Sequence, residues 1–525
     1  MTEYETEIPR RVPAVHTGTR GSLWNSAILS GALLLIALAA GTYLRIYQLN
    51  IHGYNTDEAV YAGQAAAIAG VPVLKDLFPI FRAHPLLFQF VLSLLFHFGF
   101  NDLWGRLIAA GVGMGTVLLT YGAARRLYGN LAGALAGLMM AFMPYHVIVS
   151  RQVLLDGPMT FFATLTLYML ARFGASQGRS VWLFATGAAM GLTVLSKETG
   201  IVLLGAIYAF LALANEIRIK ILDLVLATLI MVVVIAPFPI SMMLAGGSNT
   251  GRQYLIWQLF RRANHEWYFY PVNVSPAVGY LVIACAVLGL ILLWKQGSWQ
   301  VKLLLSWVIV PVAFFQVWPT KGFQYLLPAA PAMAILAARF LAKWTPGAIQ
   351  VFRRKLELGW INGVLAAVTL VSLASSSWLV VQPSTSSSFL AGTGGVPGGR
   401  EAGTWVLNHV PSGSTMLAIG PSMANILEFY GHRKTYGLSV SPNPLFRNPS
   451  YTPVNNPDLL LRKAEIQYII WDSFSAERTP FFSSKLLGFV QKYNGRVAHI
   501  ESVVLPGPDG KPVAKPIIII YEVRP

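Results

Sequence analysis

The sequence predicts an α-helical polytopic membrane protein of about eleven transmembrane helices, with a small C-terminal α/β domain outside the membrane. Three observations lead there. Apolar runs long enough to cross a hydrocarbon core of ~30 Å recur through residues 24–382. Carboxylates are scarce, 22 in 525 residues against 39 Lys and Arg, and the mean hydropathy is +0.55, as suits a chain built for a bilayer. Beyond residue 382 the pattern changes to short helix-like and strand-like stretches in alternation.

Residues 1–23 read as a cytoplasmic tail carrying Arg10, Arg11 and Arg20. The apolar run that follows is long enough to span and has no small-residue cleavage site, which argues against a signal peptide. Spans are expected at 24–45, 106–124, 130–148, 157–173, 181–195, 200–214, 221–244, 276–294, 303–318, 323–342 and 358–381. Residues 85–100 are apolar but short, and charge decides their reading as an interfacial or re-entrant helix. Only then do Arg125, Arg126, Arg172, Arg179, Lys302 and Lys355 all fall on the N-terminal, cytoplasmic side, as the positive-inside rule asks. The transmembrane domain is thus 24–382, with a first outer loop at 46–105.

Residues 383–399, rich in Ser and Gly, form a linker. In the outer domain, 400–525, helices are expected at 400–409, 422–430, 457–464 and 481–492, and strands at 414–419, 466–472, 496–504 and 515–523. No Gly-rich phosphate fingerprint follows a strand, so a scaffold or acceptor-docking role is expected there. The net charge of +17 does not point to nucleic acid, because the basic residues form no stripe with interleaved aromatics. It falls mainly in loops, where it orients the chain and meets anionic lipid headgroups. A single cysteine, Cys285, excludes an intrachain disulfide.

The chemistry-bearing residues gather on the predicted outer side. Asp57 and Glu58 stand in Y-N-T-D-E-A-V-Y, just past the first span, where an unpaired charge in lipid would cost several kcal/mol. Acids also suit a helix N-terminus, but a membrane mouth and the polar company of Tyr54 and Asn55 favour function. His84, in F-R-A-H-P, hangs with Arg82 over the same vestibule. In S-R-Q-V-L-L-D-G-P, Asp156 reads as an N-cap or as an acid that Arg151 pairs with; Arg151 could instead face a phosphate. Lys197 and Glu198 could neutralise one another in a tight turn. The loop at about 245–275 holds Arg252, Arg261, Arg262, His265 and Glu266, then W-Y-F-Y-P. Three cations against the positive-inside trend are easiest to explain by a fixed anion. Lys321 and Tyr325 mark a further outer junction, with Pro328 and Pro331 kinking the entry.

These residues, in this order, resemble a family. An acid pair after span one, an H-P segment, an L-L-D-x-P turn, a His-plus-aromatic loop and K-x-x-x-Y-L-L-P-x-x-P look like the GT-C membrane glycosyltransferases. The similar branch is the protein O-mannosyltransferase and aminoarabinose-transferase-like group, over residues 24–342. The resemblance implies a polyprenyl-phosphate sugar donor, a hydroxyl acceptor on protein, lipid A or cell-surface glycan, and inversion at the anomeric carbon. It makes Asp57 the general base, with Glu58 and Asp156 in the catalytic set. His84, Arg151, Lys197, Arg252, Arg261, Arg262, His265, Lys321 and Tyr325 are then the candidates for donor phosphate and lipid.

The family's aminoarabinose branch has Phe-Glu-Lys-Pro where this chain has F-R-A-H-P, and its Glu shares a metal with the loop His. Here Ala83 and His84 replace the Glu and Lys, and His265 matches the loop His, so no metal site is assigned. A transporter or flippase of a lipid-linked or small anionic substrate is the alternative. It would show internal repeats and midplane charges, which the sequence lacks.

Overall fold

The computed structural model describes residues 20–80, 84–99, 101–246, 248–294, 298–343, 349–351, 354–356, 360–382, 396–444, 446–506 and 511–524. Residues 1–19 of the expected tail, Arg82, Ala83 and most of the linker lie outside the described residues, and the first helix starts at Arg20, within that expected tail.

The chain folds as a helical membrane protein with a C-terminal mixed sheet. Among the described residues six helices are long and apolar enough to cross a membrane, or eight if each of two bent pairs is one span. Eleven are expected from sequence, and the difference lies in length and polarity. Ser180–Ser196 and Glu198–Leu213 are apolar but short. The 20-residue helix Asp156–Ala175 carries Asp156, Arg172 and three threonines. Leu87–Phe96, within the stretch read as interfacial or re-entrant, is a helix of 10 residues. At 1.5 Å per residue it reaches only about half the way across a bilayer.

Two expected spans are bent. The stretch 130–148 is two helices, Asn130–Phe142 and Pro144–Ser150, at 59°. Pro144 has no N–H, so the break leaves carbonyls of the first helix without intrahelical donors. Side chains from elsewhere supply them. Arg45, at the end of the first helix Arg20–Ile46, donates to Met140 O and Ala141 O at 3.4 and 3.1 Å. Ser377 donates to Phe142 O at 2.7 Å. Arg151 answers in the other direction, donating to Leu44 O and Arg45 O at 2.7 and 3.2 Å, the last carbonyls of the first helix. Where water is excluded this reciprocal capping is what permits a broken helix. The second bend, 92° at Gly279 (φ +96°), separates Phe269–Val278 from Tyr280–Trp294, so this helix begins at Tyr280 and not at 276.

Close packing elsewhere relies on small residues. Gly187 and Gly191, four apart on Ser180–Ser196, face the helix Ile221–Ile235. A Cβ on Gly187 would lie 2.2 Å from Ala227 O, so only glycine lets these backbones meet.

The C-terminal unit holds the strands β3 Met416–Ala418, β4 Thr435–Gly437, β5 Tyr468–Asp472, β6 Arg496–Pro506 and β7 Pro512–Glu522, after a short hairpin β1 Ile349–Val351 and β2 Arg354–Leu356. Their order is β4-β3-β5-β7-β6, parallel through β4-β3-β5 and antiparallel beyond. The expected strands are all present in substance. β4 has only three residues and leaves too little alternation to read from sequence.

This unit packs directly on the first long loop, residues 46–105. The helix Pro421–Gly431 lies against the acid-bearing helix Thr56–Ile68, with Phe429 tilted on Tyr54 at 5.1 Å and edge-on to Phe78 at 6.5 Å. Tyr430 accepts from Tyr54 N at 2.7 Å and donates to Asp102 at 2.8 Å. Arg400 bonds Asp102 at 2.9 Å and Asn50 Oδ1 at 2.6 Å. A Cβ on Gly53 would stand 2.7 Å from Arg400 Cβ, so glycine is needed for this approach.

Candidate active site

Asp57 and Glu58 are neighbours with opposite fates. The helix Thr56–Ile68 opens with a capping box: Asn55 Oδ1 accepts from Glu58 N, and Glu58 accepts from Asn55 N, both at 3.0 Å. That turns Glu58 inward, where both carboxylate oxygens meet Arg106 at 2.8 Å and Val153 N donates at 3.0 Å. Arg106 also binds the carbonyls of Leu49, His52 and Gly53. Glu58 is wholly buried and its oxygens are engaged, so it is the clamp of the loop and not a catalytic acid.

Asp57, one residue before, projects the other way. It is exposed by surface area, yet surrounded by protein. Among the described residues its carboxylate accepts no hydrogen bond. Burial pushes its pKa up; Lys197 and then His84 pull it back, and Asp156 adds to the rise.

These groups surround Asp57. Asp156 is the first residue of its helix, capped by no side chain of its own, and both its oxygens meet Lys197 Nζ, at 2.9 and 2.8 Å. The Lys197 ammonium lies 5.0 Å over the Tyr325 ring. Arg151 therefore does not pair with Asp156, and Lys197 does not pair with Glu198. Glu198 instead pairs with His84 Nδ1 at 2.8 Å, and His84 Nε2 lies 3.3 Å from the Tyr254 hydroxyl. Gln258 donates to Tyr254 in turn, and Arg261 donates to Gln258 at 3.1 Å with its guanidinium 4.2 Å over Trp257. Tyr61, one helical turn beyond Asp57, packs edge-on to His84 at 5.9 Å. Burial, then the Asp57 and Asp156 charges, hold its phenol well above the usual value, so it stays protonated.

A chain of contacts thus runs from Glu198 through His84, Tyr254 and Gln258 to Arg261, beside a second unit of Asp156, Lys197 and Tyr325. Asp57 lies within electrostatic reach of both.

Several expected members stand apart. Arg151 is buried and caps the first helix through Leu44 O and Arg45 O. Lys321 is buried, with Nζ spent on Gln316 O at 2.7 Å and Trp318 O at 3.4 Å. Arg252 is exposed on the helix Ser248–Leu259, and Arg262 is exposed with its guanidinium 4.2 Å over Phe446 of the C-terminal unit. His265 stacks on Phe269 at 4.2 Å. Tyr61, Tyr254 and Gln258 were not singled out from sequence, and Glu198 only as a partner for Lys197. Only Tyr61 carried a usable signal, its i+4 spacing from Asp57.

The metal-binding branch of the resembled family is not matched by these donors. Both ring nitrogens of His84 have partners, His265 has its own stacking contact, and among the described residues no three His, Cys, Asp or Glu side chains are grouped for a metal.

The electrostatics give a pH expectation. If Asp57 acts as an ionised base, activity falls as pH drops, on a limb above the ordinary carboxylate value of 3.8. Lys197→Gln removes the main attraction and leaves the Asp156 charge unbalanced, so the limb moves to higher pH. Profiles of kcat against pH for the two proteins check this; an unmoved or acid-shifted limb contradicts it.

Comparison with known proteins bears on the fold. Residues 83–242 match a family model described as dolichyl-phosphate-mannose-protein mannosyltransferase. An undecaprenyl phosphate-alpha-4-amino-4-deoxy-L-arabinose arabinosyl transferase of Serratia proteamaculans is 24% identical over 277 residues, 50% of this chain and 49% of that protein. The match spans about half the length of such relatives. Among solved structures, ArnT from Cupriavidus metallidurans bound to undecaprenyl phosphate aligns with a TM-score of 0.64 at 15% identity, over 96% of this chain and 98% of that one. The oligosaccharyltransferase of Archaeoglobus fulgidus aligns with 0.57 at 13% identity, over 94% and 74%. At these identities the likeness establishes the fold.

Proposed function

We propose that this chain, whose GT-C fold is that of the membrane glycosyltransferases just compared, moves a sugar from a polyprenyl-phosphate donor to a hydroxyl acceptor. The observation that carries this reading is Asp57, a carboxylate that accepts no hydrogen bond among the described residues while its neighbour Glu58 is consumed as scaffold. In the proposed step Asp57 takes the proton of the acceptor hydroxyl as that oxygen bonds the anomeric carbon. The bond from the anomeric carbon to the donor phosphate breaks, and the polyprenyl phosphate leaves with the electron pair. Attack opposite the leaving group inverts the centre.

Burial supports the chemistry by raising the basicity of Asp57, and Lys197 and His84 limit the rise. Arg261 is the cation best placed for the leaving phosphate. It is half-buried, joined to His84 through Gln258 and Tyr254, and free of any carboxylate partner among the described residues. Arg252 and Arg262, more exposed on the same segment, suit the lipid headgroup region. The positive-inside pattern of the sequence supports an outer location for Asp57 and the C-terminal unit, where a lipid-linked donor is the available form of activated sugar.

The test is transfer from a panel of radiolabelled polyprenyl-phosphate sugars by the protein in liposomes, with a cell-envelope extract as acceptor. Transfer from one donor supports the proposal and names the sugar. Movement of label across the bilayer without transfer favours a transporter. Arg261→Ala is expected to raise the donor KM about tenfold or more, the worth of one charge-assisted contact to phosphate. An unchanged KM assigns the phosphate elsewhere.

A further inference from the structure

One cavity lies apart from Asp57 and its neighbours. It is an open cleft of about 620 Å³ between the short helix Pro72–Leu77 of the first long loop and the C-terminal unit. The volume lies within the ~300–1,000 Å³ typical of sites for small organic ligands. We propose that this cleft binds a hydroxyl-rich saccharide, the sugar portion of the acceptor; this rests on the transferase reading above.

The lining chooses the ligand class. Asp76 lines the cleft from the loop, and Lys434, Tyr436, Asn425 and Tyr451 line it from the C-terminal unit. The lining thus carries charges of both signs. Arg433 is spent on the carbonyls of Val410 and Pro411, so the cleft has no surplus of cations for a bare phosphate. Carboxylate, amide and hydroxyl groups beside tyrosine rings offer donors, acceptors and flat apolar faces together, the mixture that pyranose rings require. A peptide would need an open strand edge. The neighbouring edge β4 is three residues long, and its first N–H, of Thr435, is already bonded to Glu428 at 3.2 Å.

Position links the cleft to the chemistry. Asn425 and Glu428 line it from the helix Pro421–Gly431, whose Phe429 and Tyr430 contact Tyr54, next to the acid-bearing helix. Pro72–Leu77 follows that helix directly and ends at Phe78, which fills the space a Cβ on Gly63 would need, at 2.4 Å. A saccharide here is gripped by the two units that also frame the helix carrying Asp57, so its hydroxyl end can be directed toward Asp57.

The test uses the full-length protein in nanodiscs with a fluorescent, deacylated lipid A–core oligosaccharide as probe. Cleavage of the polyprenyl-phosphate sugar by water, read as released polyprenyl phosphate, is measured in parallel. Wild-type protein is expected to bind the probe. Tyr436→Ala and Asp76→Ala, on opposite walls, are each expected to weaken binding about tenfold, with donor cleavage unchanged. Asp76 is exposed, so its loss leaves the fold intact even if Tyr436→Ala perturbs the sheet. Equal affinity in both variants, no binding by wild type, or displacement of the probe by a serine- and threonine-rich peptide overturns the saccharide assignment. Probe binding sensitive to both walls without any donor cleavage would sustain the cleft and remove the transferase reading.

Discussion

Asp57→Asn protein will hold its lipid donor and fail to pass on the sugar. The amide keeps the shape of the carboxylate but cannot accept the acceptor's proton, and loss of general base catalysis typically costs about 10²–10⁴ in rate. Asp57 accepts no hydrogen bond among the described residues and caps nothing, so thermal stability should be close to that of wild type. Measured together, transfer rate, donor affinity and melting temperature separate a lost base from a lost fold. Turnover near wild type in Asp57→Asn would remove Asp57 as the base. A coincident collapse of donor binding would make it a binding residue.

Substitution of Arg106 is expected to have the largest effect on stability. Arg106 and Glu58 are 1% and 0% exposed, and the guanidinium also gathers three carbonyls of the loop before the acid helix. Arg106→Met leaves a buried carboxylate without its partner, and breaking such a pair costs about 3–5 kcal/mol. The expected result is a clear fall in the melting temperature of the detergent-solubilised protein. Amide exchange should quicken first over residues 49–58, the segment that Arg106 and Glu58 tie down. Glu58→Gln should be milder, since an amide can still accept from Arg106 and Val153 while removing a charge. If Arg106→Met melts like wild type, the ion pair is not what holds the loop.

The sequence carried the membrane class and the C-terminal alternation of helix and strand, and it pointed to residues 57 and 58. It also held a clue that separates the two acids. Asn55 and Glu58 have the spacing of a capping box, which commits Glu58 to the backbone and frees Asp57. The pairing of Asp156 with Lys197 was beyond reach, because it joins residues 41 apart through the packing of two helices. Neighbouring Lys197 and Glu198 looked self-sufficient, yet an extended backbone at Lys197 sends their side chains to different partners. Arg151 misled for a similar reason. A cation near a membrane surface suggests an anion, but here the need came from the carbonyls closing the first helix. The bend at Pro144 was legible as a proline within a span; that Arg45 would cap it was not.

The contact between Tyr54 and Tyr430 joins residues 376 apart in the chain. During synthesis the loop that bears Asp57 is therefore made early and waits, through every later span, for the segment that will hold it. Loop closure over such a distance contributes nothing until Arg400, Phe429 and Tyr430 have emerged and their helices have docked. A ribosome-bound intermediate then carries the acid without its lock, and completion of the C-terminal unit becomes the event that assembles the site. A lesion in that late segment would be felt first at the opposite end of the gene.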